Sequence, residues 1–451
     1  MPKKLPPIPE KSTLKLRKTL SAPGLLKKVR NEFKKIPEHR TDRIKYNLPD
    51  VLMSGLAMFG LKYPSLLQFD KEAHNEETVK ANLKELYEIK QTPCDSQMRE
   101  VLDSVNPKDL QSSFVKIIKQ LQRDKVLESY KFLKEYCIVS IDGTEPFASN
   151  NISCDECCSR KLRNDKIQYY HQLLAAVIVH PDKATVLPLF PEAITKQDGE
   201  TKNDCELNAS KRLLPAIRKA FPKLKMLVVE DSLASNAPHI RLLEELSFRY
   251  ILVAKPSNHK YMFDIINKYD ELDKVSELEI QDKDGTIRFY SYINNIPLNE
   301  NNQDLLVNVL EYWEFKEGKQ VYHNTWVTDF ELCQENVYQI MKGGRSRWKV
   351  ENETFNTLKN QGYNQEHNYG HGKQYLSTVL GMLMMLHFLI DQVQEAACPL
   401  FKAARGRFHS RIQLWRYIRS RFLEHLLPSW EILFKSIIYG FVPQVILLDT
   451  S

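Results

Sequence analysis

Five short apolar runs in the middle of the chain constrain its fold more than any other feature. They occupy residues 136–141, 169–180, 184–189, 225–230 and 250–254. Apolar and β-branched side chains dominate them, which is typical of buried strands. The segments 204–221 and 236–246, which separate the later runs, carry apolar positions at helical spacing. Strands that alternate with helices in this way predict an α/β fold.

The order of these elements is three strands, a helix, a strand, a helix and a strand, which matches a ribonuclease-H-like core. After residue 255 the helical pattern fades into alternating segments, which predict a mostly β insertion. We therefore expect an α/β fold with a ribonuclease-H-like core and a mostly β insertion, flanked by N-terminal and C-terminal helices. The predicted regions are a flexible basic arm (1–40), a helical N-terminal region (41–135), the first part of the core (136–255), the insertion (256–342), the second part of the core (343–395) and basic C-terminal helices (396–451).

Basic residues are concentrated towards the two ends of the chain. The net charge over 451 residues is +7, yet residues 1–35 hold eleven Lys and Arg against two acids, and residues 402–421 hold seven against none. Aromatic side chains lie among the second group. This mixture suits a nucleic-acid backbone, although a solvated helix face has the same composition. With 42% hydrophobic and 27% charged residues, collagen, a wholly disordered chain and a small disulfide scaffold are excluded.

The longest uncharged run, residues 374–390, is short for a membrane span and predicts a buried helix. The N-terminus lacks the charged-then-apolar pattern of a secretion signal. We therefore expect a protein that stays in the cytoplasm and has no membrane partner.

Two acids follow buried strands directly. Asp142 comes after the run 136–141, and Asp231 after the run 225–230. Because open α/β sheets place their chemistry at strand ends, we expect these carboxylates to meet at one sheet edge. Turn formation is the simpler explanation for either Asp alone. With a third acid, Glu351, they supply the oxygen ligands that Mg²⁺ prefers, and two such ions catalyse phosphodiester cleavage.

Glu351 lies in a predicted helix over residues 345–359, after Gly343-Gly344 break the preceding pattern. Arg347 lies four residues before it and shares its helix face, and Lys359 lies within reach of a long side chain. Glu353 points about 120° away from Arg347 and Lys359, so Glu351 is the better ligand, with Glu353 as the alternative. A surface helix with one ion pair is the other interpretation of this segment.

The string RWKVENETFNTLK, residues 347–359, resembles the C-terminal motif of DDE transposases of bacterial insertion sequences of the IS-four type. This group has a Tyr–Arg–Glu–Lys signature around its catalytic glutamate. The segments around Asp142-Gly-Thr, Gln197-Asp-Gly, Asp204-Cys-Glu and Val-Val-Glu-Asp231 are also similar to the group. The resemblance covers about residues 45–395. Two positions depart from the pattern: Gly344 replaces the tyrosine, and Lys359 lies one residue further from Glu351 than expected.

The resemblance implies that Asp142, Asp231 and Glu351 are the catalytic, metal-binding triad. Arg347 and Lys359 would contact phosphates near the transposon end. Trp348 and, more weakly, Trp326 are candidates for stacking on an unpaired base, against core packing as the other explanation.

The activity implied is Mg²⁺-dependent cleavage and strand transfer of double-stranded DNA, with Mn²⁺ as a possible substitute. The terminal repeats of the element and its target DNA would be the substrates. A homodimer would bridge two transposon ends. The protein would be bacterial and associated with the nucleoid. Two alternatives stay open: a ribonuclease-H-like nuclease without strand transfer, and a DNA-binding protein derived from a transposase.

The eight cysteines are mostly scattered, which favours reduced thiols over disulfides. Cys154 and Cys157 have the spacing of half a zinc site, which His171 and Cys205 could complete. Because a second cysteine pair is missing nearby, reduced loop thiols are the favoured interpretation and structural zinc the lesser one.

Overall fold

The computed structural model describes residues 7–8, 10, 14–41, 44–195 and 204–440. Its α-helices in chain order are α1 (Ala22–Phe33), α2 (Leu48–Gly60), α3 (Leu66–Asn75), α4 (Glu77–Tyr87), α5 (Asp95–Asp103), α6 (Gln111–Arg123), α7 (Glu206–Ala220), α8 (Ala237–Glu245), α9 (Lys260–Asp270), α10 (Val337–Arg345), α11 (Asn356–Asn360), α12 (Leu376–Ala397), α13 (Pro399–Arg405), α14 (Arg411–Glu424) and α15 (Trp430–Tyr439). Its strands are β1 (Cys137–Ser149), β2 (Cys158–Lys161), β3 (Ile167–Val179), β4 (Leu187–Pro188), β5 (Glu192–Ile194), β6 (Met226–Glu230), β7 (Arg249–Ala254), β8 (Ser276–Gln281), β9 (Ile287–Asn299), β10 (Asn302–Lys316) and β11 (Lys319–Thr328).

The chain divides into two compact units. A helical unit comprises Met1–Asp124 and Thr357–Ser451, and an α/β unit comprises Lys125–Asn356. The second part of the predicted core, residues 343–395, is therefore split between them. Its last helix, α12, packs against α1, α2, α5 and α6 of the helical unit.

The helical unit is organised around α12. Among the described residues, this helix alone is long and apolar enough to cross a membrane, and its apolar window is entirely buried within the protein. A buried helix is what the uncharged run predicts. The basic helix α14 packs against α4 and α15 in the same unit, and Arg419 of α14 bonds Glu72 at 2.6 Å. At least one of the C-terminal basic residues is thus paired with an acid of the same unit.

The prediction of a flexible arm over residues 1–40 is wrong for α1. Apolar residues recur there every four positions, and Leu25, Val29 and Phe33 are fully buried. Pro23 lies in the first helical turn, where proline is tolerated because its missing N–H has no helical partner. Residues 1–6, 9 and 11–13 of the predicted arm lie outside the described residues.

The α/β unit is built on one mixed sheet. The strand order is β2-β3-β1-β6-β7-β11-β10-β9-β8, with β4 and β5 paired to β3. The pairs β1–β6 and β6–β7 are parallel, and the other strand pairs among the described residues are antiparallel. Parallel neighbours need crossover connections, which α7 and α8 provide. Of the predicted strand 184–189, only the two residues of β4 form a strand.

The predicted β insertion is continuous with this sheet. After α9, which the sequence pattern does not predict, β8 to β11 form an antiparallel meander. Its last strand pairs with the core, because Thr325–Thr328 align with residues 254–251 of β7. The alternating polarity identifies these strands, but it does not reveal that they extend the central sheet.

The predicted helix over residues 345–359 is interrupted. α10 ends at Arg345, Ser346 and Arg347 form a turn, and Val350–Phe355 form a π-helix that continues into α11. Arg347 therefore lies in the turn and Glu351 in the π-helix, instead of on one continuous α-helix. π-Helical turns are rare and occur frequently at functional sites.

Candidate active site

Parallel pairing of β1 with β6 brings two of the predicted acids to one sheet edge. Ser140 aligns with Val229, so Asp142 and Asp231 each lie two residues beyond the same pair. The Asp142 carboxylate accepts a 2.9 Å hydrogen bond from the Gly143 amide. The Asp231 carboxylate accepts one of 2.9 Å from the Leu233 amide. Asp231 follows the end of β6 as predicted, whereas Asp142 lies within β1, which continues to Ser149.

The π-helix that carries Glu351 packs on β1 and β3. Burial raises the pKa of Asp142, and the charges of Asp231 and Glu351 raise it further, while Arg347 opposes the rise. Asp231 and Glu351 therefore both lie close enough to Asp142 to repel its carboxylate. Such repulsion is relieved when a divalent cation binds between them.

A fourth carboxylate, Glu206, joins this group. It lies in the first turn of α7 and accepts a 2.8 Å hydrogen bond from the Gln172 side chain. Burial raises the pKa of Glu206 to about 7, and the charges of Asp142 and Asp231 contribute to the rise. A Cβ atom added at Gly143 would approach Glu206 Oε1 to 2.1 Å. Glycine at this position lets the fourth acid reach the strand.

Sequence reasoning did not place Glu206 in the site. The segment Asp204-Cys-Glu206 was noted only for its similarity to the transposase group. That similarity was the one sequence signal that could have identified Glu206. An acid at the start of a helix is ordinary, because it complements the helix dipole. Only the tertiary approach of α7 to β1 and β3 distinguishes Glu206 from such a residue.

The neighbouring acid Glu230 is already compensated. Its carboxylate lies 2.6 Å from His239 Nε2, and both side chains are buried. Burial acts against protonation of His239, but the Glu230 charge prevails and raises the pKa of the imidazole. Glu230 is thus held by a protein cation, which leaves Asp142, Asp231, Glu206 and Glu351 as the candidates for an external one.

A cavity of about 340 Å³ opens beside the acids. Its lining includes Asp142, Gln172, Cys205, Glu206, Glu230 and Asp231. Most of these polar groups are carboxylates, which suits a hard divalent cation rather than an anionic ligand by itself.

Arg347 lies next to the first acid. Its Nη1 atom is 3.4 Å from Asp142 Oδ2, and its carbonyl oxygen accepts a 2.9 Å hydrogen bond from the Ser140 hydroxyl. The turn after α10 is therefore tied to β1, and this holds the guanidinium at the edge of the carboxylate group. A guanidinium in this position is suited to a phosphate that approaches the acids.

The two tryptophans differ in exposure. Trp348 is 40% exposed, and the Lys349 ammonium lies 5.0 Å from its ring centroid. Trp326 on β11 is fully buried, and its indole covers Gly344, where an added Cβ would come within 2.5 Å of Nε1. The prediction that Trp326 stacks on a base is wrong, because the ring packs between the sheet and α10.

Lys359 and Glu353 each have another charged neighbour. Lys359 belongs to the helical unit, where its ammonium is 3.5 Å from Glu366. Burial lowers the pKa of Lys349, against the opposing charge of Glu353. Glu353 therefore faces Lys349, whereas Glu351 acts on Asp142. Residue 197, within a segment that resembles the family, lies outside the described residues.

Comparisons with known proteins add little to this geometry. No family model matches the chain, and no curated protein matches it. Among solved structures, a cryo-EM structure of a piggyBac transposase synaptic complex with hairpin DNA is similar, with a TM-score of 0.41 and 10% sequence identity. The similarity covers 95% of this chain and 85% of that chain. At this score and identity it carries no argument about the site, whose chemistry is judged from its own residues.

Proposed function

We propose that this protein is a DDE transposase that cleaves and joins DNA strands at the ends of an insertion sequence. The observation that carries the proposal is that Asp142 and Asp231 each lie two residues beyond the same aligned pair of parallel strands, while the π-helix that carries Glu351 packs on β1. These three acids come from distant parts of the sequence. The IS-four type of the element rests on the sequence resemblance.

The donor set fits divalent metal ions. The acids are carboxylates, and burial together with their repulsion raises the pKa of Asp142 and of Glu206. The cavity beside Asp142, Asp231 and Glu206 has room for water as well. Mg²⁺ bound by Asp142, Asp231 and Glu351 would activate the attacking oxygen and stabilise the leaving oxygen of a phosphodiester. Mn²⁺, with similar ligand preferences, is expected to substitute.

The chain's own residues would position the DNA. Arg347, held at Asp142 by its hydrogen bond and by Ser140, would bind the phosphate that enters the carboxylate edge. Trp348 is exposed beside it and presents a ring on which an unpaired base at the cleaved end would stack. Glu206 would act near the acids as a proton acceptor or a further oxygen ligand, since its pKa of about 7 lets both charge states occur.

The strand order supports a ribonuclease-H-like core for this chemistry. A hairpin of β1 and β3 is followed by parallel β6 and β7, with α7 and α8 as crossovers. The substrates proposed are the terminal repeats and the target DNA, bridged by a homodimer. The basic helices α13 and α14 are proposed as further DNA or subunit contacts.

The proposal is tested by a cleavage and joining assay on DNA that carries the ends flanking the gene. With Mg²⁺, wild type is expected to release 3′-hydroxyl ends and to join them to target DNA. Asp231→Asn and Glu351→Gln should each lower the rate by at least about 100-fold. Glu353→Gln is the matched control, since it removes a neighbouring carboxylate that faces Lys349, and it should retain activity.

Each other outcome favours a different function. Cleavage without end preference or joining would favour a nuclease. End-specific binding with no cleavage by wild type would favour a DNA-binding protein derived from a transposase. Loss of activity in Glu353→Gln but not in Glu351→Gln would move the third ligand to Glu353.

A further inference from the structure

A cluster of sulfur and nitrogen ligands lies away from the carboxylates. Cys154 and Cys157 lie in the connection between β1 and β2, where the Cys157 amide bonds the Cys154 carbonyl at 3.1 Å and closes a tight turn. His171 projects from β3, one residue after Tyr170, which pairs with Cys158 of β2. The hairpin therefore brings an imidazole to a Cys-x-x-Cys turn.

The distances within the cluster are those of metal ligands. Cys154 Sγ is 3.7 Å from Cys157 Sγ. His171 Nε2 is 3.4 Å from Cys154 Sγ and 3.5 Å from Cys157 Sγ. In tetrahedral zinc coordination, with bonds of about 2.3 Å to sulfur and 2.0–2.1 Å to nitrogen, the corresponding separations are about 3.8 Å and 3.5 Å. All three edges agree within the tolerance expected of a zinc site.

A disulfide explains the cluster less well. A disulfide bond needs the two sulfur atoms at about 2.05 Å, and none of the eight cysteines is disulfide-bonded. Cys157 and His171 are almost completely buried, so the donors are shielded from water and converge on one point. The sequence favoured reduced thiols over zinc because it lacks a second Cys-x-x-Cys pair nearby. The third ligand, His171, instead comes from a strand.

We propose that Cys154, Cys157 and His171 bind a structural zinc ion that fastens the connection after β1 to β3. Structural zinc takes four ligands, so a water molecule or one further side chain completes the shell. Cys205, the other cysteine weighed from sequence, instead lines the carboxylate cavity. The hairpin that zinc would fasten also carries Asp142, which pairs with Ala175 on β3. The metal would therefore hold the first catalytic strand in place without taking part in the reaction.

Metal analysis tests this site independently of DNA chemistry. The full chain, expressed without a histidine tag in zinc-supplemented medium, is expected to retain about one zinc ion after dialysis. Cys154→Ser, Cys157→Ser and His171→Ala should each reduce the content to below about 0.1 ion per chain. Cys158→Ala is the matched control and should keep the zinc, because the Cys158 thiol lies 3.6 Å from the Ile194 carbonyl oxygen and bonds it.

A second measurement uses the wild type alone, so it holds even if a variant fails to fold. Protein stripped with a chelator and loaded with Co²⁺ should show the thiolate charge-transfer bands and the intense visible bands of tetrahedral cobalt, and Zn²⁺ should displace them. The stripped protein should also unfold at a lower temperature. The proposal is overturned if wild type carries no zinc and stripped protein takes up neither metal, or if all three ligand variants bind zinc as the wild type does.

Discussion

Replacing Glu206 by Gln is expected to stabilise the protein at pH 8 and to have little effect at pH 5. In the folded protein, burial and the charges of Asp142 and Asp231 raise the pKa of Glu206 from 4.5 to about 7. A raised carboxyl pKa means that folding favours the protonated form. The stability associated with this form is complete below pH 4.5 and is lost as the pH rises through 7. Gln mimics the protonated form at every pH.

The magnitude follows from the two pKa values. For a completely buried carboxyl group, a pKa rise from 4.5 to about 7 would change the free energy of unfolding by about 3 kcal/mol. Because Glu206 is only partly buried, solvent screening reduces this to about 1–2 kcal/mol. For a unit of this size, each kcal/mol moves the unfolding midpoint by roughly 2–4 °C.

The assay is urea or thermal unfolding of wild type and Glu206→Gln at pH 5 and pH 8, with a chelator present. Glu145→Gln is the control, because it removes a carboxylate from β1 that bonds Arg160 instead of the acidic cluster. It should change stability by less than about 1 kcal/mol. Added Mg²⁺ should stabilise wild type more than Glu206→Gln at pH 8. Equal stability differences between wild type and Glu206→Gln at both pH values would refute the reasoning.

Three further substitutions test other parts of the structure. Gly344→Ala should destabilise the protein by about 1–3 kcal/mol in urea unfolding, because the new Cβ would meet the Trp326 indole at 2.5 Å; unchanged stability would contradict the packing described. Trp348→Ala should change stability by less than about 0.5 kcal/mol, yet weaken binding to DNA with an unpaired end by about 1–3 kcal/mol in a titration; equal affinity would remove its stacking role. Asp50→Ala removes the buried partner of the Arg30 guanidinium and leaves it only the exposed Glu88. It should cost about 3–5 kcal/mol in the free energy of unfolding, whereas a loss below about 1 kcal/mol would show that the pair is not buried in solution.

The strands of the core were predictable because they are buried on both faces. The run 225–230 contains four consecutive apolar residues and forms β6, and the run 250–254 forms most of β7. The common edge of Asp142 and Asp231 follows from the parallel arrangement alone. Local composition therefore identifies these two strands.

Features that depend on tertiary contact were not predictable. The π-helix at Val350–Phe355 has an ordinary helical sequence, so its wider turn does not show in the pattern. The alternating pattern around Trp326 predicts a strand with one exposed face. The indole is buried because β11 pairs with β7 and α10 covers the sheet. Glu206 reaches its site because α7 approaches β1 and β3, which are distant in sequence.

The central claim is that carboxylates at the sheet edge hold the metal ions of a DNA-cleaving reaction. Asp231→Cys tests it most directly, because a thiolate ligand binds Mg²⁺ poorly and Mn²⁺ better. The account predicts that this variant fails to cleave and join end DNA with Mg²⁺ and regains activity with Mn²⁺, whereas wild type is active with both ions. A correctly folded Asp231→Cys protein that cleaves as fast as wild type with Mg²⁺, or that stays inactive with both ions, would contradict metal binding by Asp231.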